Sequence, residues 1–159
     1  MDRVDCIMSN PVFLEHMKEN EEKEVNREFC KHTLEHSLDV ARILYILVLE
    51  QGLDISKDVL YAMALLHDIG RYTAEDKLSS HHIAGAYIAK GILEASGYTG
   101  EETDDICDAI EAHHTLSSDD NPLKELLYKA DKLSRNCFDC KAYGECYWDE
   151  NLKNKHIIY

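Results

Sequence analysis

Proline is nearly missing from this chain: Pro11 and Pro122 are its only two among 159 residues, so long stretches lack the residue that breaks helices. No apolar run approaches the roughly 18 residues that span a bilayer, which excludes a transmembrane segment. The alternation of β-branched and polar residues between turns that marks strands is also absent. So are the serine motif of covalent hydrolases and the glycine-rich loop that cradles nucleotide phosphates. Basic residues are few, 17 Lys and Arg against 31 Asp and Glu, for a formal net charge of -14. That charge repels phosphate backbones and anionic membranes at long range, so neither nucleic acid nor a membrane is an expected partner. The opening residues, with Asp2, Arg3 and Asp5, lack the basic and apolar pattern of a signal peptide, and a cytoplasmic location is expected. In a reducing compartment the six cysteines, Cys6, Cys30, Cys107, Cys137, Cys140 and Cys146, read as thiols or ligands.

What is present reads as all-α, with the length of one domain and enough apolar residues for a single core. Leu34, Leu38, Ala41, Tyr45 and Val48 form the stripe of a long helix ending near Gly52. A second helix runs from about Ser56, with Asp58 in its first turn, to His67-Asp68, and Gly70 reads as its stop. Apolar spacing predicts three more, around Ile83 to Leu93, Ile106 to Ile110, and Leu123 to Ala130. An earlier helix covers Val12 to Glu24, although its charge run also fits a solvated or frayed segment. After Asp131 the composition changes, and the chain is expected to leave the helical body as a tail. The organisation read from these shifts is a helical segment at 1–24, a core at 25–136 and a cysteine-containing tail at 137–159.

His36, the adjacent His67-Asp68, and Asp131 stand in order, each within a helical stretch. Imidazole and carboxylate together suit a divalent first-row metal, and a vicinal His-Asp delivers two ligand types from one place. Singly, a buried histidine is more often a hydrogen-bonded core residue and an aspartate a helix cap; the ordered set points to a metal site. Mixed nitrogen and oxygen donors with open positions favour iron or manganese over a closed tetrahedral zinc site, with zinc, cobalt and nickel as alternatives.

The segments His36-Ser37-Leu38-Asp39-Val40-Ala41, Leu65-Leu66-His67-Asp68-Ile69-Gly70-Arg71 and Lys129-Ala130-Asp131-Lys132-Leu133 resemble the three signature segments of the HD superfamily of metal-dependent phosphohydrolases. The resemblance spans most of the chain and implies a single compact HD-domain helical bundle in which His36, His67, Asp68 and Asp131 bind one metal. His81-His82-Ile83-Ala84-Gly85-Ala86 and Ala109-Ile110-Glu111-Ala112-His113-His114 resemble the segments that supply two more histidines in dinuclear members. By that register the additional ligands are His81 and His113, with Asp68 as the bridge. His113 follows Ile106, Ala109 and Ile110 on one helical face, whereas His114 is rotated about 100° away and is the less suited. His81 and His82 lie at a loop-to-helix junction; the register favours His81 and leaves His82 open.

The pattern is most similar to small bacterial HD hydrolases that cleave diadenosine tetraphosphate. It implies cleavage of a phosphoester or phosphoanhydride bond in a small phosphorylated molecule, a nucleotide or related compound, by a metal-activated hydroxide. Asp68 and Arg71 are then the catalytic candidates. Arg71, Lys132 and Arg135 lie within a turn of ligand positions, where they would meet phosphoryl charge. His32, four residues before His36, shares its helical face and could also face substrate. Two other readings stay open: a metal or nucleotide sensor without turnover, and a mixed-valent di-iron oxygenase. The oligomeric state is open as well.

Cys137, Cys140 and Cys146 form C-x2-C-x5-C, and a C-x2-C pair can place two thiolates on one metal. Cys30, Cys107 or His156 would have to complete such a site, and spacing selects none. Reduced cysteines packing the tail with Phe138, Tyr147 and Trp148 are the plainer reading, with a second, cysteine-bound zinc or iron-sulfur site as the alternative.

Overall fold

The computed structural model describes residues 1–72, 81–114 and 121–159. The elements are α1 (Asp2–Ser9), α2 (Pro11–Lys23), α3 (Leu34–Glu50), α4 (Lys57–Leu66), α5 (His81–Ala95), α6 (Gly100–Ala112) and α7 (Pro122–Leu133), followed by one 3₁₀ turn at Cys137–Asp139. Among the described residues there is no strand, and the all-α reading holds. No described helix is long and apolar enough to cross a membrane.

The bundle is built around α4, whose residues Val59, Leu60 and Ala62 through Leu66 are all buried. A helix that is apolar on every side belongs in the interior. Around it α3 packs on α4 and α7, while α6 packs on α4, α5 and α7. The start of α3 is set by Thr33, whose hydroxyl accepts the His36 N–H at 3.4 Å. Its end is set at Gly52, where φ is +64° and the amides of Gly52 and Leu53 return to the carbonyls of Leu49 and Val48, the glycine-closed stop expected there.

The first helix, α1, is an element that sequence reading did not separate from α2. It buries Val4 and Ile7, and Arg3 fastens it to the bundle. The Arg3 guanidinium lies 2.7 Å from Asp58 at the start of α4, makes a two-pronged pair with Glu102 at 2.7 and 2.9 Å, and covers the Tyr98 ring. Asn10 then caps α2 and Pro11 opens it, a position that needs no N–H donor.

The charge run in α2 is helical through Lys23, and its inner face, Phe13, Met17, Asn20 and then Glu24, is buried. Beyond α7 the chain forms the 3₁₀ turn and irregular turns. Asn154 returns it to the body, its amide donating to the carbonyls of Lys132 and Arg135 at 2.8 Å each.

Candidate metal centre

Helix ends make the site. His36 lies in the first turn of α3, His67 caps the C-terminus of α4, His81 opens α5, His113 caps α6 and Asp131 sits in the last turn of α7. All converge on Asp68, which is 7% exposed. Its Oδ2 lies 3.1 Å from His67 Nε2, 3.8 Å from His36 Nε2 and 3.9 Å from His32 Nε2. Its Oδ1 faces the other way, 3.7 Å from His113 Nε2 and 3.7 Å from Arg71 Nη1. Asp131 Oδ1 lies 3.5 Å from His36 Nε2.

The hydrogen bonds behind these rings decide which nitrogen faces inward. His67 Nδ1 donates to the Ala64 carbonyl at 2.7 Å and His113 Nδ1 to the Ile110 carbonyl at 2.5 Å; a carbonyl can only accept, so the proton is on Nδ1. For His36 the same service comes from Ser134. Its hydroxyl donates to the Asp131 carbonyl at 2.8 Å and so accepts from His36 Nδ1 at 3.3 Å. Each ring is thereby turned to present Nε2 to the carboxylates, the orientation metal-binding histidines take. The Nε2 atoms of His36, His67 and His113 are buried with no hydrogen-bond partner. Protein interiors rarely leave such atoms unmatched, and imidazole nitrogens beside carboxylate oxygens form the donor set a divalent first-row cation takes.

Two sets of donor atoms draw within 4.8 Å of one another: His36, His67 and Asp68, and Asp68, His81, His113 and His114. Asp68 belongs to both. His81 is the member of its pair that joins, and His82 does not. His114 joins against the sequence expectation. The helix ends at His113, so the 100° rotation per residue no longer applies, and the turn brings His114 Nε2 to 2.5 Å from His81 Nε2.

The electrostatics mark a cation-attracting centre. Burial opposes charge on Asp68, yet the neighbouring His67, with His113 and His32 close by, holds its carboxyl well below the usual range. Burial likewise opposes charge on Asp131, but His67 and Lys132 bring it to about 2. Burial and then the neighbouring His67 push His36 down to about 4. His67 is pushed up to about 9, since Asp68 outweighs the burial that would lower it. The pull that holds a proton on His67 is the pull a divalent cation would feel there. Burial lowers His81 to about 4, and burial with His113 and His81 lowers His114, open to solvent at its edge, to about 3, so both are neutral donors near pH 7.

The cationic candidates surround this core. Lys132 Nζ bonds Asp131, and Arg135 Nη2 lies 3.7 Å from the same carboxylate. Arg71 Nε is held at 3.2 Å by Glu24. Glu24, 2% exposed, also takes the His32 Nδ1 proton at 2.7 Å, the His32 backbone N–H and the Tyr72 hydroxyl at 2.9 Å. Asn20, one turn earlier, donates to the Asp68 carbonyl at 3.2 Å. Sequence reading passed over Glu24, Asn20 and Ser134. For the first two the signal was available: the spacing of Phe13 and Met17 continues onto Asn20 and Glu24, placing two polar groups on the buried face. Ser134 carried none.

A cavity of about 290 Å³ opens onto the centre. Arg71, His81, His114, Lys132 and Arg135 line its polar side, and Phe29, Tyr128, Tyr147 and Trp148 its aromatic side. The tail thus supplies part of the wall.

Comparison with known proteins follows the same segments. An HD domain model matches residues 33–136. An uncharacterized protein of Clostridium beijerinckii is 40% identical over 159 residues, the whole of both chains. Ribonuclease Y of Lawsonia intracellularis is 37% identical over 86 residues, 54% of this chain and 15% of its own. Ribonuclease Y of Nitratidesulfovibrio vulgaris is 34% identical over 106 residues, 67% of this chain and 18% of its own. The chain therefore spans less than a fifth of those ribonucleases. No solved structure matches. The matched span begins at the residue that caps α3 and ends just beyond Asp131 and Ser134, taking in every residue that converges on Asp68 except His32: the chain belongs to the HD domain family of metal-dependent phosphohydrolases.

Proposed function

We propose that this chain hydrolyses a phosphoester or phosphoanhydride bond in a small nucleotide or related phosphate compound, using two divalent cations that share Asp68. The observation that carries the reading is the set of buried, partnerless Nε2 atoms on His36, His67 and His113, facing opposite oxygens of one carboxylate. His36, His67, Asp68 and Asp131 would hold one cation; Asp68, His81 and His113, with His114 added by the geometry, would hold the other. The nitrogen and oxygen donors favour iron or manganese. Bound there, the cations would supply Lewis-acid charge and a hydroxide nucleophile at neutral pH.

The protein's own groups do the rest. Glu24 fixes Arg71 and His32 from behind, so that the Arg71 guanidinium reaches past Asp68 toward the phosphoryl oxygens on which charge develops. Lys132 and Arg135 add positive charge on the Asp131 side and offset the chain's negative field within the cavity. The aromatic wall suits a base-bearing substrate, since every nucleobase offers a π-face. The overall charge of -14 favours a small substrate over a long polyanion. The matched ribonucleases Y, of which this chain covers less than a fifth, are by name hydrolases of a phosphodiester polymer, which supports phosphoester chemistry here.

The test is hydrolysis of a panel of nucleotides and simple phosphodiesters, read both as phosphate and as the nucleotide, phosphomonoester or alcohol products, without oxygen, with Fe(II), Mn(II), Co(II) or no metal. Metal-dependent hydrolysis by the native chain that disappears in Asp68→Ala supports the reading. Hydrolysis undiminished in Asp68→Ala, or silence across the metal-loaded panel, contradicts it and favours sensing or oxygen chemistry.

A further inference from the structure

Beside the His–Asp centre lies a second cavity, of about 460 Å³, and Cys30, Cys137, Cys140 and Cys146 all line it. Spacing left the fourth position open among three residues; the fold selects Cys30. Cys107 is on α6 with its thiol bonded to the Ala86 carbonyl, and His156 is exposed and outside this cavity. All four thiols are free. They come from separate places: Cys30 precedes α3, Cys137 and Cys140 bound the 3₁₀ turn, and Cys146 lies in the turns that follow. Lys31, Arg135 and Lys153 line the cavity together with Glu28, Glu35, Asp39 and Asp139, so its charge is mixed, with Arg135 the cation that acts on Cys30. Burial pushes the Cys30 thiol up and Arg135 opposes it, while Cys137, Cys140 and Cys146 add to the rise.

We propose that Cys30, Cys137, Cys140 and Cys146 hold an iron–sulfur cluster. Four cysteine thiolates are the usual ligand set of such clusters. A single tetrahedral zinc, with Zn–S near 2.3 Å, would draw its sulfurs to roughly 3.8 Å of one another. Among the described residues, the donor sets that converge within 4.8 Å are the two histidine–carboxylate sets and no set of thiols. Thiols spread around a cavity fit a multi-atom inorganic core standing between them. The cluster ties the tail to the segment before α3. Cys30 and Cys146 line both cavities, so it also fixes the Phe29–Tyr147 edge contact that walls the catalytic one.

The full-length chain is purified without air, supplied with ferrous iron and sulfide, and assayed for acid-labile sulfide and visible charge-transfer absorption. Cys30→Ser, the double variant Cys137→Ser/Cys140→Ser and Cys107→Ser are treated alike, with far-ultraviolet circular dichroism as the check on folding. Labile sulfide and absorption are expected in the native chain and in Cys107→Ser, with loss of both in helical Cys30→Ser and in the double variant. Native protein without labile sulfide overturns the proposal, as does zinc bound at the thiols in its place, or sulfide retained by the variants. Labile sulfide also separates this site from the His–Asp centre, which takes bare cations. Failure of hydrolysis with sulfide retained would strike the functional reading and leave the cluster standing.

Discussion

Gly70 and Gly85 cross backbone to backbone. A methyl group on Gly70 would fall 2.3 Å from the Gly85 nitrogen, 2.5 Å from its Cα and 2.6 Å from the His81 carbonyl oxygen. The contact holds the turn that carries His67 and Asp68 against the start of α5, which carries His81. No rotamer change relieves a clash with backbone. Gly70→Ala is therefore expected to destabilise by at least the ~1–3 kcal/mol of an overpacked core, read as a lower urea midpoint. At Gly85 the added methyl would sit 3.4 Å from the Gly70 nitrogen, and alanine gains up to about 1 kcal/mol of helix propensity, so Gly85→Ala should be near neutral. Equal effects of the two would contradict the crossing.

Ser134 orients His36 without touching a cation. Removing its hydroxyl frees the His36 ring to rotate and takes away the acceptor for Nδ1. Ser134→Ala should weaken metal affinity about 10- to 100-fold, the usual loss for such a supporting bond, with helix content unchanged. Competitive chelator titration reads it, and unaltered affinity would remove Ser134 from the site.

Glu24 gives a pH signature. Burial would raise its pKa, but the backbone and side-chain hydrogen bonds to His32, with Tyr72, lower it below the ordinary value. A carboxyl depressed in the folded state adds stability that is present above its unfolded pKa, near 4.3, and is lost as pH falls through the folded value. Glu24→Gln should thus be less stable at neutral pH by ~1–3 kcal/mol for the unmatched partners. The gap should narrow as pH drops below the carboxylate range; a pH-independent gap would contradict the assignment.

The Arg135 guanidinium lies 3.8 Å over the Trp148 ring at the cavity edge. Base stacking is worth ~1–3 kcal/mol, so Trp148→Ala should raise KM for a nucleotide about tenfold with kcat little changed. A simple phosphodiester without a base should feel the loss much less. A common effect on both would assign Trp148 to positioning Arg135 alone.

The helices and the convergent residues were legible because each sits on strong periodicity or at a helix end. His36, His67 and Asp68 need only the apolar stripes of α3 and α4 to be placed together. What was not legible depended on groups whose role appears only when distant segments meet. α1 has two buried apolar residues, Val4 and Ile7, too few for a stripe, and its anchor is the ion pair of Arg3 with residues 55 and 99 positions away. Glu24 and Asn20 were hidden in a run of charge. His114 was ranked below His113 because helical rotation was carried past the end of α6, and the turn there brings it to the donor set. Cys30 could not be chosen over Cys107 until the tail was seen to fold back.

The central claim is that Asp68 is shared by two cations, and a titration of metal-free protein with Mn(II) tests it most directly, since manganese prefers carboxylate and imidazole to thiolate. The two donor sets around Asp68 predict two equivalents bound by the native chain, one by His81→Ala, and neither held tightly by Asp68→Ala. A single equivalent in the native chain, or unchanged binding in Asp68→Ala, would contradict it.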